Sequence, residues 1–374
     1  MNRIGWALVE PLLVKTLIVM MPAMIGATAS GAEESRRPER LAIAHAYWER
    51  EHERAAGKPA AGGYPTEPAL PFLSAYQLTR EARFVSQAER QLAYAHSAER
   101  NGLLAMPREG LLVAHRDAQA RQICNFYLAY RVLADGRYLR WADTCAKAMM
   151  ATIPRQAHEC AGQSYIQFAS TFINVDDPQS SRAAYGIDVN QNAEVGLAFG
   201  LLCHDPASAF FDNPLAKEIA LQETLASMSI QDMKTGAIPL TEASEQIRWY
   251  DTAYGSYAAF SWVWSQLLWR DPRMEEHVRA AGRWLGAKMD LSKDSNRYYA
   301  FRNPSTSMPP WEASYRLALY WYCGLDASQF IAGLFERMPK IPPGDPFLTL
   351  WACYDLMGIP RAYYIDGQPE AAHR

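Results

Sequence analysis

The chain has 374 residues, of which 49% are hydrophobic and 12% aromatic, and it carries a formal net charge of −3. That length allows one large domain or two smaller ones. The near-neutral balance, with no cluster of Lys and Arg among aromatics, excludes the electrostatic footprint of a nucleic-acid binder. Whole-chain attraction to a polyanion is likewise not expected.

The N-terminus reads as a targeting segment. Met1 to Lys15 carries Arg3 and Lys15 alongside Glu10, and Thr16 to Thr28 is an apolar run interrupted by Pro22. Ser30-Gly31-Ala32 places small residues at a cleavage site, which predicts a signal peptide over 1–32. The apolar core is short of the roughly 20 residues a membrane span needs. The expected product is an exported protein, periplasmic or secreted, with a single domain over 33–374. An uncleaved anchor is the alternative, and no later segment reads as transmembrane.

Beyond a Pro/Gly/Ala linker at Ala55 to Pro68, helical segments of two kinds alternate. "ALPFLSAYQL" (69–78), "ICNFYLAYRVLA" (123–134), "VGLAFGLLC" (195–203), "AYGSYAAFSWVWSQLLW" (253–269), "YRLALYWYC" (315–323) and "FLTLWACYDLM" (347–357) are apolar nearly all round. Such helices must be enclosed by protein. Between them lie amphipathic segments at 82–100, 137–153, 214–230 and 273–289, with turns such as "ADGRYL" and "RDPRME" leading in. Asp, Gly and Pro there stop one helix and cap the next. The amphipathic segment at 39–55 has no inner partner before it, and 347–357 has no outer partner after it. Pairing these two ends closes a ring. The expected fold is therefore all-α, an (α/α)6 toroid, with short strands as loop decoration near 164–175 and 297–301. Gly196 and Gly200 are expected to let inner helices approach closely.

This alternation, with its "LADGRYLRWA" turn into an outer helix, resembles the six-hairpin glycosidase-like superfamily. The resemblance covers most of the mature chain and implies a carbohydrate-active protein: a glycoside hydrolase, a polysaccharide lyase or a sugar epimerase. Fold alone does not choose among these.

In a toroid the inner helices all start at one rim. The segments that open them include "HRDAQARQ" (115–122), "GIDVNQNAE" (186–194), "RWYDTAYGSY" (248–257) and "MPPWEASYR" (308–316), the densest polar and aromatic mixtures in the chain. "TEPALPF" and "PPGDPF", which open the first and last inner helices, are plainer. Convergence of such groups in a concavity is the signature of a ligand site. Glu194, Asp251 and Asp188 are the candidate catalytic carboxylates for glycoside hydrolysis. Asp188 with Gln191 also fits a capping box, and Asn190 is a rival N-cap. Glu194 sits where the helix turns apolar, so its carboxylate needs a partner or an elevated pKa.

Trp249, Tyr250 and Tyr254 offer sugar-stacking surfaces beside Asp251, as does Trp311 beside Glu312. Arg248, Arg316 and Arg116 are candidates for gripping a uronate carboxylate, although Glu312 and Arg316 also suit a plain i,i+4 ion pair. His115 is the base if the chemistry is proton abstraction, and otherwise a solvated loop histidine. Asn190 and Gln191 complete the substrate-binding set.

Three readings stay open: hydrolase, uronate lyase or C5-epimerase, and a non-catalytic polysaccharide-binding or assembly protein of the cell envelope. The expected partner is an oligo- or polysaccharide, with no cofactor and no metal. HExxH, paired CxxC, P-loop, dinucleotide and GxSxG motifs are all missing from the sequence. The six cysteines, Cys124, Cys145, Cys160, Cys203, Cys323 and Cys353, are too sparse for a disulfide scaffold. Individual bridges and buried free thiols both remain open.

Overall fold

A computed structural model describes residues 37–55, 65–243, 252–286, 310–326 and Pro339. Helices alternate along it as the apolar patterning predicts. Outer α1 (Arg37–Ala55) comes first, followed by inner α2 (Leu70–Thr79) with outer α3 (Ala82–Ser97). Inner α4 (Arg116–Leu133) pairs with outer α5 (Gly136–Thr152), and inner α6 (Val189–His204) with outer α7 (Pro214–Ser229). Inner α8 (Thr252–Trp269) pairs with outer α9 (Pro272–Gly286), and inner α10 (Pro310–Cys323) follows. Each inner helix lies against the next inner helix, and α2, α4, α6 and α8 each also lie against their own outer partner.

This is an all-α toroid. Arg50 of α1 donates from Nη1 to the Pro339 carbonyl at 3.0 Å, joining the first outer helix to chain 289 positions later. Ring closure requires such a contact. The expected sixth inner helix at 347–357, the expected strand at 297–301 and the N-terminal segment 1–32 lie outside the described residues.

Helix ends follow their caps. The Asp135 side chain accepts from Arg137 N at the start of α5. Asn213 accepts from Leu215 N and Ala216 N ahead of Pro214 in α7, and Asp271 accepts from Arg273 N in α9. Each cap satisfies amide groups that a helix start otherwise leaves open.

The two ends of the barrel differ. At one end Arg80–Glu81, Ala134–Asp135 and Arg270–Asp271 are the whole connection from inner to outer helix. At the other end, outer helices return to inner ones through long segments that carry every strand among the described residues. β1 (Glu99–Arg100) pairs with β2 (Leu103–Leu104), and β3 (Met106–Arg108) with β4 (Leu111–Ala114). β5 (Arg155–Cys160) pairs with β6 (Gln163–Phe168), and β7 (Ile173–Asn174) adds to β4. The hairpins turn on Asn101-Gly102, Glu109-Gly110 and Ala161-Gly162, all at positive φ. Two consecutive residues at positive φ form the turn whose twist matches paired strands. The strands expected near 164–175 are present, whereas the helix expected over 82–100 stops at Ser97 and gives way to β1.

Inner and outer layers are also joined through the polar ends of buried aromatics. Trp262, fully buried on α8, donates from Nε1 to Ser227 Oγ of α7 at 2.7 Å. Tyr320 of α10 donates to the Leu285 carbonyl of α9 at 3.1 Å. Cys145, Cys203 and Cys323 are free thiols. Among the described residues, no helix is long and apolar enough to cross a membrane.

The GxxxG expected between inner helices divides its work. Gly200 faces Leu268 and Trp269 of inner α8, but Gly196 faces outer α7. A Cβ on Gly196 would lie 2.1 Å from Thr224 Oγ1, 2.9 Å from Thr224 N and 3.0 Å from the Ala220 carbonyl. Backbone atoms in a packed pair of helices cannot step aside cheaply. Gly196→Ala is therefore expected to cost about 1–3 kcal/mol through overpacking. Chemical denaturation reads this directly, and a wild-type midpoint would show that α6 and α7 have slack.

Candidate functional site

The rim site is built around Arg121, in the second turn of α4. Its Nη1 donates to Glu67 Oε1 at 2.9 Å, from the 3-10 turn Glu67–Ala69 that opens α2. Its Nε and Nη2 reach Glu194 Oε1 and Oε2 at 3.1 and 3.4 Å, on α6. The same two nitrogens donate to the Tyr257 hydroxyl of α8 at 3.2 and 2.8 Å. The guanidinium also sits over the Tyr257 ring, 5.1 Å from its centroid. One side chain thus ties together groups from the openings of inner helices α2, α6 and α8. Next door, Asn125 Nδ2 donates to Thr66 Oγ1 at 3.0 Å and fixes the turn that carries Glu67.

Burial shapes the acidity here. Glu194 is buried, and desolvation pushes its carboxyl up to about 7 against the pull of Arg121. Glu67 is raised for the same first reason, with Arg121 pulling it down and Asp117 pushing it up. Asp188 is pushed up to about 6 by burial, partly offset by Arg116 and raised further by Asp117. Asp117, in the first turn of α4, is therefore felt by Glu67, Asp188 and Glu194 alike.

The N-terminus of α6 is not the expected capping box. Asp188 is the N-cap, but its side chain makes no capping hydrogen bond; the Gln191 amide attracts it without reaching that geometry. Instead its own backbone N–H donates to Asn192 Oδ1 at 2.9 Å. Gln191 turns its Oε1 to Arg116 Nε at 3.2 Å. The Asp188 Oδ1 atom is buried with no hydrogen-bond partner. A buried polar network explains the displacement of the cap. Fully buried Arg116 also donates to Asn192 Oδ1, the Gly186 carbonyl and the Phe168 carbonyl. Asn192 Nδ2 donates to Glu223 Oε2 at 2.6 Å, and Glu223 Oε1 accepts from Phe168 N at 2.7 Å. Arg116 is thereby committed to holding the β6 hairpin and the Gly186 loop on the barrel, not to gripping a uronate.

His115 is no solvated loop histidine. It is the buried N-cap of α4, with Nδ1 on Asp117 Oδ1 and Nε2 on the Ser170 carbonyl. Both ring nitrogens are engaged. Arg316 is fully buried and donates from Nε to Ser256 Oγ of α8 at 3.1 Å. Asn190 is buried in the first turn of α6, and Tyr254 is half-buried in the first turn of α8. Arg248, Trp249, Tyr250 and Asp251 lie outside the described residues, as do the side chains of Trp311 and Glu312.

Reading the sequence missed Glu67 and Arg121. Glu67 belongs to a plain-looking opening, and Arg121 sits inside a helix that is otherwise buried. The available signal was Asp117 with Arg121 four residues on, one polar strip on the rim end of an apolar helix.

Burial alone can raise a carboxyl, as Glu99 shows away from this group. It accepts from Gln122 Nε2 at 2.6 Å and lies 3.0 Å from His96 Nδ1, and desolvation takes it to about 7. A raised folded-state value means stability is full below the unfolded value and falls as pH rises through about 7. Glu99→Gln removes that loss. The variant is expected to be about 2 kcal/mol more stable than wild type at pH 8 and unchanged at pH 4. Denaturant melts at both pH values check this, and a gain of equal size at pH 4 would exclude the ionisation account.

No family model matches the chain, and neither does any curated protein. Solved structures are similar in fold. A D-mannose isomerase superposes with a TM-score of 0.53 at 12% identity, over 89% of this chain and 99% of its own. A GH76 alpha-mannanase from Bacteroides thetaiotaomicron gives 0.45 at 12% identity, over 65% of this chain and 61% of its own. A GH8 xylanase catalytic mutant from Teredinibacter turnerae, bound to xylohexaose, gives 0.44 at 12% identity, over 79% and 81%. The chain thus spans less than two thirds of the mannanase's length. What the isomerase shares along nearly its whole length is the architecture, a closed alternation of inner and outer helices.

Proposed function

We propose that the chain is a carbohydrate-active enzyme that cleaves glycosidic bonds at the rim where the inner helices start. The observation that carries this reading is the buried Glu194 carboxyl, held at the rim by Arg121 with Tyr257 and pushed up to about 7 by burial. Glycoside hydrolysis needs one carboxyl that holds its proton and one that has lost it. Glu194 is the acid. Asp188 is its partner among the described residues, and Asp251, at the opening of α8, is the rival. The aromatic residues at 249, 250 and 254 would stack the apolar faces of the sugar rings.

A second reading has its own support. The structure that matches over nearly its whole length is a sugar isomerase, and isomerisation or epimerisation also needs buried acid–base groups. Incubation with neutral and charged oligosaccharides separates the two. New reducing ends, with the anomer resolved by NMR, support hydrolysis; deuterium taken up from solvent at carbon without chain cleavage supports isomerisation or epimerisation. Neither signal with any sugar would leave a binding protein and sink both enzyme readings. Export is part of the proposal and rests on residues 1–32; N-terminal sequencing of the mature protein beginning near Glu33 tests it.

A further inference from the structure

The acid proposed for this rim shares its hydrogen-bond donors with a neighbour. Arg121 Nε lies 3.1 Å from Glu194 Oε1 and 3.2 Å from the Tyr257 hydroxyl oxygen. Arg121 Nη2 lies 3.4 Å from Glu194 Oε2 and 2.8 Å from the same hydroxyl. Glu194 on α6 and Tyr257 on α8 therefore face one edge of a single guanidinium from two helices, and both are buried.

A tyrosine hydroxyl has one proton to give and two lone pairs to offer. The two Arg121 nitrogens take the lone pairs, and the Tyr257 side chain is hydrogen-bonded to Glu194 in the sense that favours the carboxylate. Its proton is therefore directed at Glu194. The two states of the acid feel this differently. An ionised Glu194 accepts the Tyr257 proton. A protonated Glu194 meets an oxygen already saturated by Arg121, so its own proton has no acceptor there and is left for a glycosidic oxygen.

We infer that Tyr257 is a positioning residue for Glu194, which rests on the reading of Glu194 as the acid: its hydroxyl, fixed by two Arg121 donors, stabilises the spent carboxylate and leaves the acid's proton to the substrate. As that proton passes to the leaving oxygen, the charge that develops on Glu194 meets donors already in place. The described charged groups around Glu194 are Arg121 and Asp117 of α4, with Glu67 on the far side of Arg121. Burial raises Glu194 to about 7; Arg121 and Tyr257 oppose that rise and Asp117 adds to it.

Tyr257→Phe keeps the ring under Arg121 and removes only the hydroxyl. Losing a hydrogen bond to the charged form should raise the Glu194 titration midpoint by about half a unit to one unit. Carbon-13 NMR of protein labelled at its glutamate carboxyls reads this without substrate, the Glu194 signal being the one absent from Glu194→Gln. Uniform 3-fluorotyrosine labelling, which strengthens the hydroxyl as a donor without any substitution, should move the same midpoint down. With an oligosaccharide that is cleaved, Tyr257→Phe should lower kcat about tenfold at unchanged KM. The alkaline limb of its pH profile should move up with the midpoint. In a Glu194→Gln background Tyr257→Phe should lower turnover no further, because its effect passes through the acid. A tyrosine that only packs would leave midpoint and limb unmoved and add its loss to that of Glu194→Gln; any of these results overturns the inference. A raised midpoint in a protein that cleaves nothing keeps the Tyr257–Glu194 pair and loses the hydrolase reading. Cleavage with an unmoved limb keeps the hydrolase and loses the role of Tyr257.

Discussion

Glu194→Gln is expected to lower turnover by about 10³-fold on a natural glycoside while leaving the fold intact, the range that one positioned acid contributes. The amide keeps the hydrogen-bonding outline facing Arg121 and Tyr257 but cannot deliver a proton. The loss should shrink sharply on an aryl glycoside whose leaving group departs without protonation, because only the acid's step is then relieved. The wild-type pH profile sharpens the point. Asp188 as base must be ionised, so kcat/KM should rise as pH passes about 6; Glu194 as acid must be protonated, so it should fall above about 7. The optimum is thus narrow, and the alkaline limb should disappear in Glu194→Gln. A variant with wild-type turnover, or one equally impaired on both kinds of substrate, would remove Glu194 from the acid's role.

Arg121→Met carries the second large effect. The side chain is partly exposed at the rim, but its contacts bind two buried carboxylates and a tyrosine on three separate helix openings. Removing one partner of a buried ion pair leaves an uncompensated charge and costs about 3–5 kcal/mol. The pH dependence distinguishes this from simple loss of packing. Without Arg121, Glu67 and Glu194 lose the attraction that holds their acidity up, so their folded-state values rise further. The folded protein then binds more protons than the unfolded one over a wider range above the unfolded value near 4.5. The deficit should be full at pH 8 and much smaller at pH 4, where both carboxyls are protonated in either state. Denaturant melts at the two pH values measure it. A deficit independent of pH would mean that Arg121 acts through packing alone.

Much of the architecture could be read from the chain. The enclosed helices α6 and α8 are apolar on every face and α9 on only one, and that contrast sorts inner from outer before any contact is known. Asp135, Asn213 and Asp271 mark helix starts because a short side-chain acceptor can meet free amides only there. The hairpin at Asn101-Gly102 carried an equally local signal, a pair of residues tolerant of positive φ, but it was hidden behind the amphipathic run of α3. The site was less legible. Asp188, Glu194 and the 248–251 cluster stand out as polar groups beside apolar helices, whereas Glu67 and Arg121 are ordinary in their own segments. The capping box at Asp188 and Gln191 is a sound local expectation. It failed because Arg116, from another helix, competes for Gln191, and Asn192 meets the cap amide instead.

Patterning along the chain determined the fold class, the order of helices and the rim at which inner helices begin, since each depends on spacing between near neighbours. Only the tertiary structure decided which charges meet. Arg116 and Arg121 lie five positions apart on α4, yet one is sealed into a structural network and the other holds the rim carboxylates together. Burial and pairing depend on residues 70 or more positions away. Desolvation and Coulomb forces act through space, so a sequence names the charged groups and the fold sets their energies.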